Sequence, residues 1–472
     1  MGTILSGAVL SFESISDAII KFGDTICNYP EFILLIGGGL FFLIYSGFVP
    51  LRYYGRAIKS LTVRDNAPGQ ISSFEALMSA IAATVGMGNI AGVAIALMLG
   101  GPGAIFWMWV SAIVGMATKF FEGTLAIMYK GKDENGEVQG GPMYMIVEGL
   151  GKKWKPLAVF FSIFGLIGTL AIMQANQLTE SVITVFMTPA GIENTLMLRF
   201  VIGCIICAIV AVVVLGGIKR IANISSKLVP VMVGLYFILV AYIIISNISV
   251  VPHVFGEIFR CAFTFEAGAG GAVGAFFMTA TIGARRAALV NEAGVGTASM
   301  MHGASKNQEP VREGLVAMIG PSIDSGLVCT LTALAILIAT NSGSYVIPAG
   351  EDVKGLEIAL NSFGAAIPMH VYKGQLGAYL LMLVVFFFAF STMFTYSYYG
   401  MKCTSYLFGA KYGKYYNYFF LAMLIVCAMI PLKLAVAVVD IAYCLMAFAT
   451  MFVLFRLSPK VKAAAKEYFK RR

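Results

Sequence analysis

Glycines and polar residues interrupt one membrane-length apolar run, and they could hold charged groups there. The run covers residues 71–98, and its interruption reads Thr84-Val85-Gly86-Met87-Gly88-Asn89. Glycine costs a helix about 1 kcal/mol relative to alanine, and the core of a membrane offers no water to a freed backbone group. Unwinding would leave carbonyl oxygens on the first half-helix and N–H groups on the second. The segment therefore predicts adjoining sites for a cation and a carboxylate.

The backbone atoms of this segment are the first candidate ligands. The carbonyl oxygens of Ala82 and Val85 could coordinate a cation, and the N–H groups from Gly86 to Asn89 could bind a substrate carboxylate. The partial positive charge at a helix N-terminus favours such an anion, so no buried lysine or arginine is required. Gly86, Gly88 and Asn89 are therefore predicted to contact substrate.

Two adjacent hydroxyls elsewhere in the chain could complete a cation site. Ser391 and Thr392 interrupt an aromatic run, and Tyr396 follows one helical turn later. Na⁺ is a hard cation that needs oxygen ligands, which these hydroxyls supply. The alternative is that both hydroxyls bond the carbonyl groups of their own helix.

Other polar residues lie within predicted spans. Gln174 and Asn176 could orient the amine of a substrate or bridge two helices. Lys119 and Glu122 are predicted to pair, and Glu292 is placed near the inner end of its span beside Arg285 and Arg286. Asp324 and Asp440 lie deeper, where either a coupling role or structural hydrogen bonding is possible.

The composition requires that most of these residues sit in membrane helices. The chain of 472 residues is 59% hydrophobic and only 12% charged, with a mean hydropathy of +0.85, which excludes a soluble globular protein. Apolar runs of membrane length recur throughout. We predict eleven spans, at 31–52, 71–98, 103–129, 158–187, 197–216, 228–247, 263–297, 313–340, 374–404, 415–431 and 433–457.

The order of these spans suggests an internal repeat. One extra helix precedes two sets of five, and the first helix of each set is interrupted by glycines, the second around Gly270 and Gly271. Paired interruptions at matched positions mark a binding site between inverted repeats, although glycines also allow close helix packing. The predicted divisions are an amphipathic interfacial segment (1–30), an extra helix and loop (31–70), two five-helix repeats (71–247 and 263–457) and a basic tail (458–472).

Charge and short motifs restrict the function further. The net charge of +9 comes from lysines and arginines concentrated in the segments predicted to face inside, which places the N-terminus outside and the C-terminus in the cytoplasm. The charge therefore reports topology, and no nucleic-acid partner is expected. Eight scattered cysteines and three distant histidines predict no metal centre, and no nucleotide-binding motif is present. An ion gradient is the expected energy source.

Several strings resemble a known family. GGPGAIFWMWVSAIVG at 100–115 is similar to the signature of the alanine or glycine:cation symporters, also called sodium:alanine symporters, and the remaining matches are VGMGNIAGVA at 85–94, GGPMYMI at 140–146, QAN at 174–176, NEAGVGTA at 291–298 and SYYG at 397–400. The resemblance covers nearly the whole chain. It implies the inverted-repeat fold of the bacterial leucine transporter with one additional helix.

The same resemblance implies residue roles. Asn89 would help bind one sodium ion, and Gln174 would contact an amino-acid substrate. A second sodium ion would use the carbonyls of Ala82 and Val85 with the hydroxyls of Ser391 and Thr392. Thr392 and Tyr396 would also line the substrate pocket.

Two departures from the family pattern concern that pocket. Tyr396 stands where relatives commonly have tryptophan, and the Gly270–Gly274 stretch lacks a phenylalanine found in relatives. Both remove aromatic bulk, which predicts a pocket larger or more polar than one for alanine. The sequence thus predicts a sodium-coupled symporter of small neutral amino acids in a cell membrane, without an organic cofactor or an obligate protein partner. The alternatives are a glutamine-preferring or proton-coupled permease and, from another class, a membrane enzyme or channel.

Overall fold

The protein is mostly helical. The computed structural model describes residues 29–471 except 64–68, 264–270, 349–354 and 372–373, and also residues 14, 16–19, 21–23, 25 and 27. The helices before residue 250 are α1 (Tyr29–Phe32), α2 (Gly38–Tyr45), α3 (Val49–Arg52), α4 (Tyr54–Ser60), α5 (Ser73–Thr84), α6 (Val93–Gly100), α7 (Gly103–Met128), α8 (Pro142–Leu150), α9 (Lys155–Gly168), α10 (Ile172–Val182), α11 (Leu196–Val214) and α12 (Gly217–Ser246).

The remaining helices follow in the same pattern of long and short pieces. They are α13 (Val251–Phe263), α14 (Gly271–Asn291), α15 (Thr297–His302), α16 (Pro310–Ala317), α17 (Ile319–Pro321), α18 (Cys329–Asn341), α19 (Gly355–Ala366), α20 (Leu376–Phe408), α21 (Ala410–Met429) and α22 (Leu432–Lys470). Turns of π-helix occupy Ile33–Gly37, Gly88–Gly92, Ile183–Met187 and Ser322–Val328, and 3₁₀ turns occupy Lys152–Trp154 and Thr188–Ala190.

Two short antiparallel hairpins lie between helices. Strands β1 (Gly131–Lys132) and β2 (Val138–Gln139) pair after α7, and β3 (His370–Val371) pairs with β4 (Gly374–Gln375) before α20. In the first hairpin Asp133 Oδ1 accepts the N–H groups of Asn135 and Glu137 at 2.9 and 3.0 Å. An aspartate that bonds the backbone in this way stabilises a turn.

Seven helical stretches of the described residues are long and apolar enough to cross a membrane. They are Gly103–Met128, Lys152–Ala190, Leu196–Val214, Gly217–Ser246, Pro310–Asn341, Leu376–Phe408 and Leu432–Lys470. The bent pair Ser73–Thr84 and Gly88–Gly100 makes an eighth span if it counts as one. The expectation of a polytopic helical membrane protein is confirmed, while the count of eleven and the inverted repeat stay predictions.

One predicted span is interrupted where the sequence analysis expected continuity. Residues 158–187 divide into α9 and α10, because Ala171 adopts a left-handed conformation with φ 53°. Thr169 Oγ1 bonds the carbonyl of Gly165 at 2.7 Å as α9 ends. Gly165 and Gly168 precede this interruption, but glycines in membrane helices also allow close packing, so they did not reveal a break here.

Helix α7, which carries most of the FWMW string, is the scaffold against which later helices pack. A Cβ atom at Gly283 of α14 would lie 2.1 Å from the carbonyl oxygen of Ala104, and one at Gly314 of α16 would lie 2.1 Å from Thr124 Oγ1. Ser111 Oγ also donates to the Ala284 carbonyl at 3.1 Å. These close approaches, which only glycine permits, fix α14 and α16 relative to α7.

Helices α11 and α12 present apolar side chains outward. Among these exposed residues are Ile205, Val212, Ile238 and Ile245, the last with 72% of its surface accessible. Water disfavours a continuous apolar surface of this kind, whereas lipid accepts it. The pattern agrees with an integral membrane protein.

Candidate binding site at the interrupted helix

The apolar run at 71–98 is broken where the sequence predicted. Ser72 begins α5 with a capping box, its hydroxyl accepting the Glu75 N–H at 3.2 Å. At the other end Val85 is extended, with φ −79° and ψ 92°. The chain resumes as a π turn at Gly88, and the two halves are bent by 55°. The prediction of an unwound helix is confirmed.

Two hydroxyls of α20 converge on a carbonyl at the end of α5. Ser391 Oγ lies 3.3 Å and Thr392 Oγ1 lies 3.1 Å from the carbonyl oxygen of Ala82. Each hydroxyl also lies 3.0 Å from the Phe388 carbonyl of its own helix. A hydroxyl has one hydrogen to donate, so each chooses between these acceptors. The structure thus brings three predicted cation ligands together, with the alternative partner also within reach.

Glycine at the break permits this approach. A Cβ atom on Gly86 would lie 2.8 Å from Thr392 Oγ1, which is closer than side chains tolerate, and one on Gly88 would lie 3.3 Å from Val290 Cγ2. Val85, the other predicted carbonyl ligand, is fully buried beside them. Its N–H donates to the Ile81 carbonyl at 2.7 Å and ends the regular winding of α5.

Asn89 ties the break to the π turn Ser322–Val328 and to α18. Its Oδ1 accepts the Gly86 N–H at 2.8 Å, and its Nδ2 donates to the carbonyl of Asp324 at 3.2 Å. The Asn89 carbonyl accepts the hydroxyl of Thr332 at 2.8 Å. The side chain is fully buried, so it lies at the centre of the unwound region rather than on the cavity wall.

Of the four backbone N–H groups predicted to bind a carboxylate, two already donate to other groups of the break. Gly86 donates to the Asn89 side chain, and the Asn89 N–H donates to the Gly86 carbonyl at 3.2 Å. The N–H groups of Met87 and Gly88 have no hydrogen-bond partner among the described residues. Gly88 is only partly buried, so its backbone can meet a ligand.

Asp324 is an acidic group immediately behind the break. It is 1% exposed, and its Oδ1 accepts the N–H of Ser325. Its Oδ2 has no hydrogen-bond partner in the described part of the chain. A buried carboxylate requires a positive charge or a proton. Asp324 therefore adds a possible oxygen ligand to the predicted cation-binding region.

A cavity of about 700 Å³ lies on the other side of the unwound segment. Of the residues predicted to bind substrate, Gly86, Gly88, Gln174 and Tyr396 line it. Further polar lining residues are Thr84, Gln177, Glu180, Ser181, Thr184, Arg286, Glu292, Glu357, Lys433, Asp440 and Tyr443. The cation ligands and the cavity therefore meet across the same few residues of backbone.

The two polar residues of α10 have separate roles. Asn176 Nδ2 donates to the carbonyl of Ile430 at 2.5 Å and bridges α10 to the end of α21. Gln174 instead lines the cavity. The bridging alternative therefore describes Asn176, while the contact of Gln174 with a substrate stays a prediction.

Only part of the second glycine-interrupted region lies among the described residues. Gly270 lies outside the described residues, and Gly271 is the first residue of α14. The predicted contact of these glycines with substrate stays a prediction.

The full-length pattern of the sequence matches one protein family. The model of the sodium:alanine symporter family aligns with residues 12–472. The chain belongs to the sodium:alanine symporter family. It is therefore a transporter and not an enzyme, as expected from its sequence, and sodium-coupled symport is the activity of the family.

Two curated relatives show how much of this symporter the similarity covers. An uncharacterized transporter of Haemophilus influenzae is 38% identical over 470 residues, covering 98% of this chain and 97% of its own. The sodium/alanine symporter AgcS of Methanococcus maripaludis is 37% identical over 444 residues, covering 92% and 93% of the two chains.

A solved structure shares the architecture of this symporter. The crystal structure of MhsT in complex with L-phenylalanine aligns with a TM-score of 0.57 and 15% identity, covering 84% of this chain and 90% of that chain. At this identity the likeness concerns the fold alone. It agrees with the leucine-transporter-like architecture implied by the sequence.

Glu292 is a polar residue of the symporter cavity whose contacts the sequence did not predict. Glu292 was expected near the inner end of its span; it directly follows the last residue of α14, and it also lines the cavity. Its Oε1 accepts the hydroxyls of Tyr396 and, at 2.9 Å, of Tyr443, and its Oε2 accepts the Thr297 hydroxyl at 2.5 Å. Glu292 therefore joins α20, α22 and α15 at one point.

The backbone explains how Glu292 reaches this position. Its φ of 51° is left-handed, and Gly294 and Gly296 follow with φ 92° and 99°. An unusual conformation in a non-glycine residue often marks a functional site. The two glycines after it in NEAGVGTA were a turn signal, although they do not show which way the carboxylate points.

Lys119 lies close enough to Glu122 for their charges to interact, and Glu122 also makes a contact that the sequence did not predict. Glu122 Oε1 accepts the backbone N–H of Gly294 at 2.5 Å. This carboxylate thus stabilises the turn that carries Glu292. This additional contact follows from the packing of α7 against that turn, which helical spacing does not reveal.

Proposed function

We propose that the protein couples inward movement of Na⁺ to import of a small neutral amino acid, by alternating access around the unwound segment at 85–88. The observation that carries the proposal is the convergence of two α20 hydroxyls on the Ala82 carbonyl beside a polar cavity. Hard cations bind clustered oxygen atoms of this kind. An unwound helix flanked by a cavity also supplies complementary ends for a zwitterion.

One sodium ion would bind between α5 and α20. The hydroxyls of Ser391 and Thr392 would turn their hydrogens toward the Phe388 carbonyl, to which each already lies within 3.0 Å. Their lone pairs would then face an ion shared with the carbonyls of Ala82 and Val85. The own-helix hydrogen bonds would support ion binding, since they hold the hydroxyl hydrogens away.

A second sodium ion would bind on the other side of the break. Asn89 Oδ1 would exchange the Gly86 N–H for the ion, and Asp324 Oδ2 would contribute a negative charge. The burial of Asp324 without a partner for this oxygen, within the described residues, supports the assignment. Binding there would release the Gly86 N–H toward the cavity, which couples the ion to the substrate.

The substrate would span the cavity wall. The substrate carboxylate would accept hydrogen bonds from the N–H groups of Met87 and Gly88. The amide oxygen of Gln174 would accept a hydrogen bond from the substrate ammonium group. Gly270 and Gly271 would close over it. Tyr396 would contact the side chain of the substrate. It is smaller than the tryptophan expected from the family resemblance, and it carries a hydroxyl group.

The cavity supports a substrate range that extends beyond alanine. Its volume of about 700 Å³ includes space past the break, with Glu180, Gln177 and Thr184 in its wall. A glutamine-preferring transporter is the second candidate that this polar lining favours. Competition of radiolabelled alanine uptake by serine and glutamine tests it, and a strict preference for alanine and glycine would contradict a widened pocket.

The residues that line the cavity and the packing at the start of α5 support an outward-accessible state. The rim of the cavity includes Gly355, Glu357 and Lys433, all in segments that the charge distribution places outside. The start of α5 is predicted to lie inside, and there the Lys306 N–H donates to the Ile71 carbonyl at 2.8 Å. Lys130 Nζ also donates to the Ser305 carbonyl at 2.6 Å.

A buried polar network closes the same inner end. Glu313 Oε2 accepts the Ser73 hydroxyl at 2.6 Å and the Asn307 amide at 2.9 Å. Its Oε1 lies 2.6 Å from His302 Nδ1. Transport to the inside would require these contacts to open, together with a swing of α5 away from α15 and α16.

The remaining features belong to the same proposal. The two five-helix repeats, at 71–247 and 263–457, would be inverted, with residues 1–30 at the outer interface and 458–472 in the cytoplasm. The protein would work in a cell membrane without an obligate protein partner.

Linked binding tests the proposed coupling. Labelled alanine should bind the purified protein more tightly as Na⁺ is raised at constant ionic strength, and alanine should raise the affinity for Na⁺ by the same factor. Replacing Na⁺ by K⁺ should remove the effect. If a rise in proton concentration enhanced binding and Na⁺ did not, the proton-coupled alternative would replace this proposal.

A further inference from the structure

We propose that Cys27, Glu31 and Cys444 bind one thiophilic divalent cation, best fitted by Zn²⁺, between the N-terminal segment and α22. This site is separate from the sodium-binding region and does not depend on the transported substrate. It departs from the expectation from cysteine spacing that the chain holds no metal centre, since the two cysteines are more than 400 positions apart in sequence and spacing could not bring them together.

The three side chains place suitable donor atoms together. The two Sγ atoms and a carboxylate oxygen of Glu31 all lie within 4.8 Å of one another, and all three residues are buried. Structural zinc sites collect sulfur and oxygen ligands around one point in a tetrahedral arrangement. Small rotamer adjustments would bring such a set onto one ion.

Glu31 gives independent support for a cation. It is only 2% exposed, and neither of its carboxylate oxygens has a hydrogen-bond partner among the described residues. Arg285 lies close enough for its charge to act on Glu31, but burying a carboxylate that is not also hydrogen-bonded is costly. A bound divalent ion would compensate the charge of this carboxylate and of two thiolates at once.

The backbone arrangement shows that the two segments are pressed together at this point. Residues 23, 27 and 31 recur at helical spacing, so they share one face. A Cβ atom on Gly23 would lie 3.2 Å from Cγ1 of Ile441, and Cys444 follows Ile441 by almost one turn of α22. The face that carries Cys27 and Glu31 therefore lies against the face of α22 that carries Cys444.

A fourth ligand is available on the same face of α22. Asp440 precedes Cys444 by four residues and lies close enough to Glu31 for their charges to interact. Either its carboxylate or a water molecule could complete a tetrahedron. Asp440 also lines the transport cavity, so the metal would be held next to the moving part of the protein.

The donor set determines the class of ion. Two sulfur atoms disfavour Na⁺, Mg²⁺ and Ca²⁺, which prefer all-oxygen sites. Mixed sulfur and carboxylate ligands suit Zn²⁺ and its spectroscopic substitute Co²⁺.

Optical titration of the full-length protein with Co²⁺ tests the site. In detergent micelles, after reduction and removal of the reductant, one Co²⁺ per chain should produce sulfur-to-cobalt charge-transfer absorption, and Zn²⁺ should abolish it. Cys27→Ser and Cys444→Ser should each weaken or remove the absorption. Cys204→Ser and Cys207→Ser, on α11, are matched controls that should leave it unchanged.

Protection from alkylation keeps the proposal testable if a variant fails to fold. In the natural protein, Zn²⁺ should slow modification of Cys27 and Cys444 while that of Cys204 is unaffected. The proposal is overturned if reduced protein shows no thiolate absorption, or if Zn²⁺ leaves the alkylation rates of both residues unchanged. Absorption that survives the double variant Cys27→Ser with Cys444→Ser would overturn it too.

Discussion

At the scale of single residues, the hydroxyl of Thr392 has two acceptors in different helices. It lies 3.1 Å from the Ala82 carbonyl and 3.0 Å from that of Phe388. Loss of this oxygen would remove one ion ligand while leaving the helix intact. A substitution here should therefore affect the ion more than the fold.

Thr392→Ala should weaken Na⁺ activation. Hydrogen bonds and contacts to charged groups contribute about 1.5–3 kcal/mol, so the Na⁺ concentration for half-maximal uptake should rise about tenfold or more. The matched control is Thr395→Ala, because among the described residues the Thr395 hydroxyl bonds only the carbonyl of Ser391, at 3.2 Å. Equal Na⁺ dependence in the two variants would contradict the ion site.

Two buried tyrosines, of which one contacts Glu292, give a prediction about stability. Tyr443→Phe removes a hydroxyl that donates to Glu292 at 2.9 Å and should lower the free energy of unfolding by about 1–3 kcal/mol. Tyr398→Phe removes a buried hydroxyl that has no partner within the described residues, so it should be neutral or stabilising. Thermal unfolding in micelles compares them, and the reverse order would show that the Glu292 cluster does not stabilise the cavity.

The sequence predicted some of these residues because their signals are local. Ser391 and Thr392 stand out in an aromatic run, and Asn89 follows two glycines. Glu292 could not be placed in the same way, since its position depends on a left-handed turn held by Glu122 from another helix. The partners of Asp324 were equally hidden, because they come from the break itself.

At the scale of elements, the close contact between the break and α20 depends on Gly86. This residue leaves room for Thr392 Oγ1, which a Cβ atom would approach to 2.8 Å. The interruption at 84–89 was predictable because glycines mark it. The interruption at 169–171 was not predicted, although Gly165 and Gly168 precede it, because glycines in membrane helices also serve close packing and do not by themselves mark a break.

Gly86→Ala should abolish coupled uptake. The added methyl group would separate α5 from α20 and disperse the oxygen atoms around Ala82. Gly234→Ala in α12 is the matched control, because a Cβ atom there meets nothing within 4 Å and should add about 1 kcal/mol of helix stability. Normal Na⁺-dependent uptake by Gly86→Ala would contradict the role of the close approach.

At the scale of the whole molecule, the cavity lies along the break and the first turns after it, whereas the inner network lies at the start of the interrupted helix. Opening one while the other stays closed is the requirement for alternating access. The network around Glu313 joins α5 to α15 and α16, so its strength should set the balance between the two states.

Glu313→Gln should shift that balance toward an inward-open state. An amide cannot accept from Ser73, Asn307 and His302 together, so the network should lose about 1–3 kcal/mol. Hydrogen exchange should accelerate in residues 72–84 and 302–313. Glu309→Gln is the control, on the same segment but outside the network. Unchanged exchange in the Glu313 variant would show that another contact holds the inner end closed.

Uptake by reconstituted proteoliposomes tests the central claim most directly. An inward Na⁺ gradient should drive accumulation of labelled alanine, and K⁺ or proton gradients of equal size should not. The Asn89→Ala variant should fold but fail to accumulate substrate. Accumulation by the natural protein that is indifferent to Na⁺ would contradict the account.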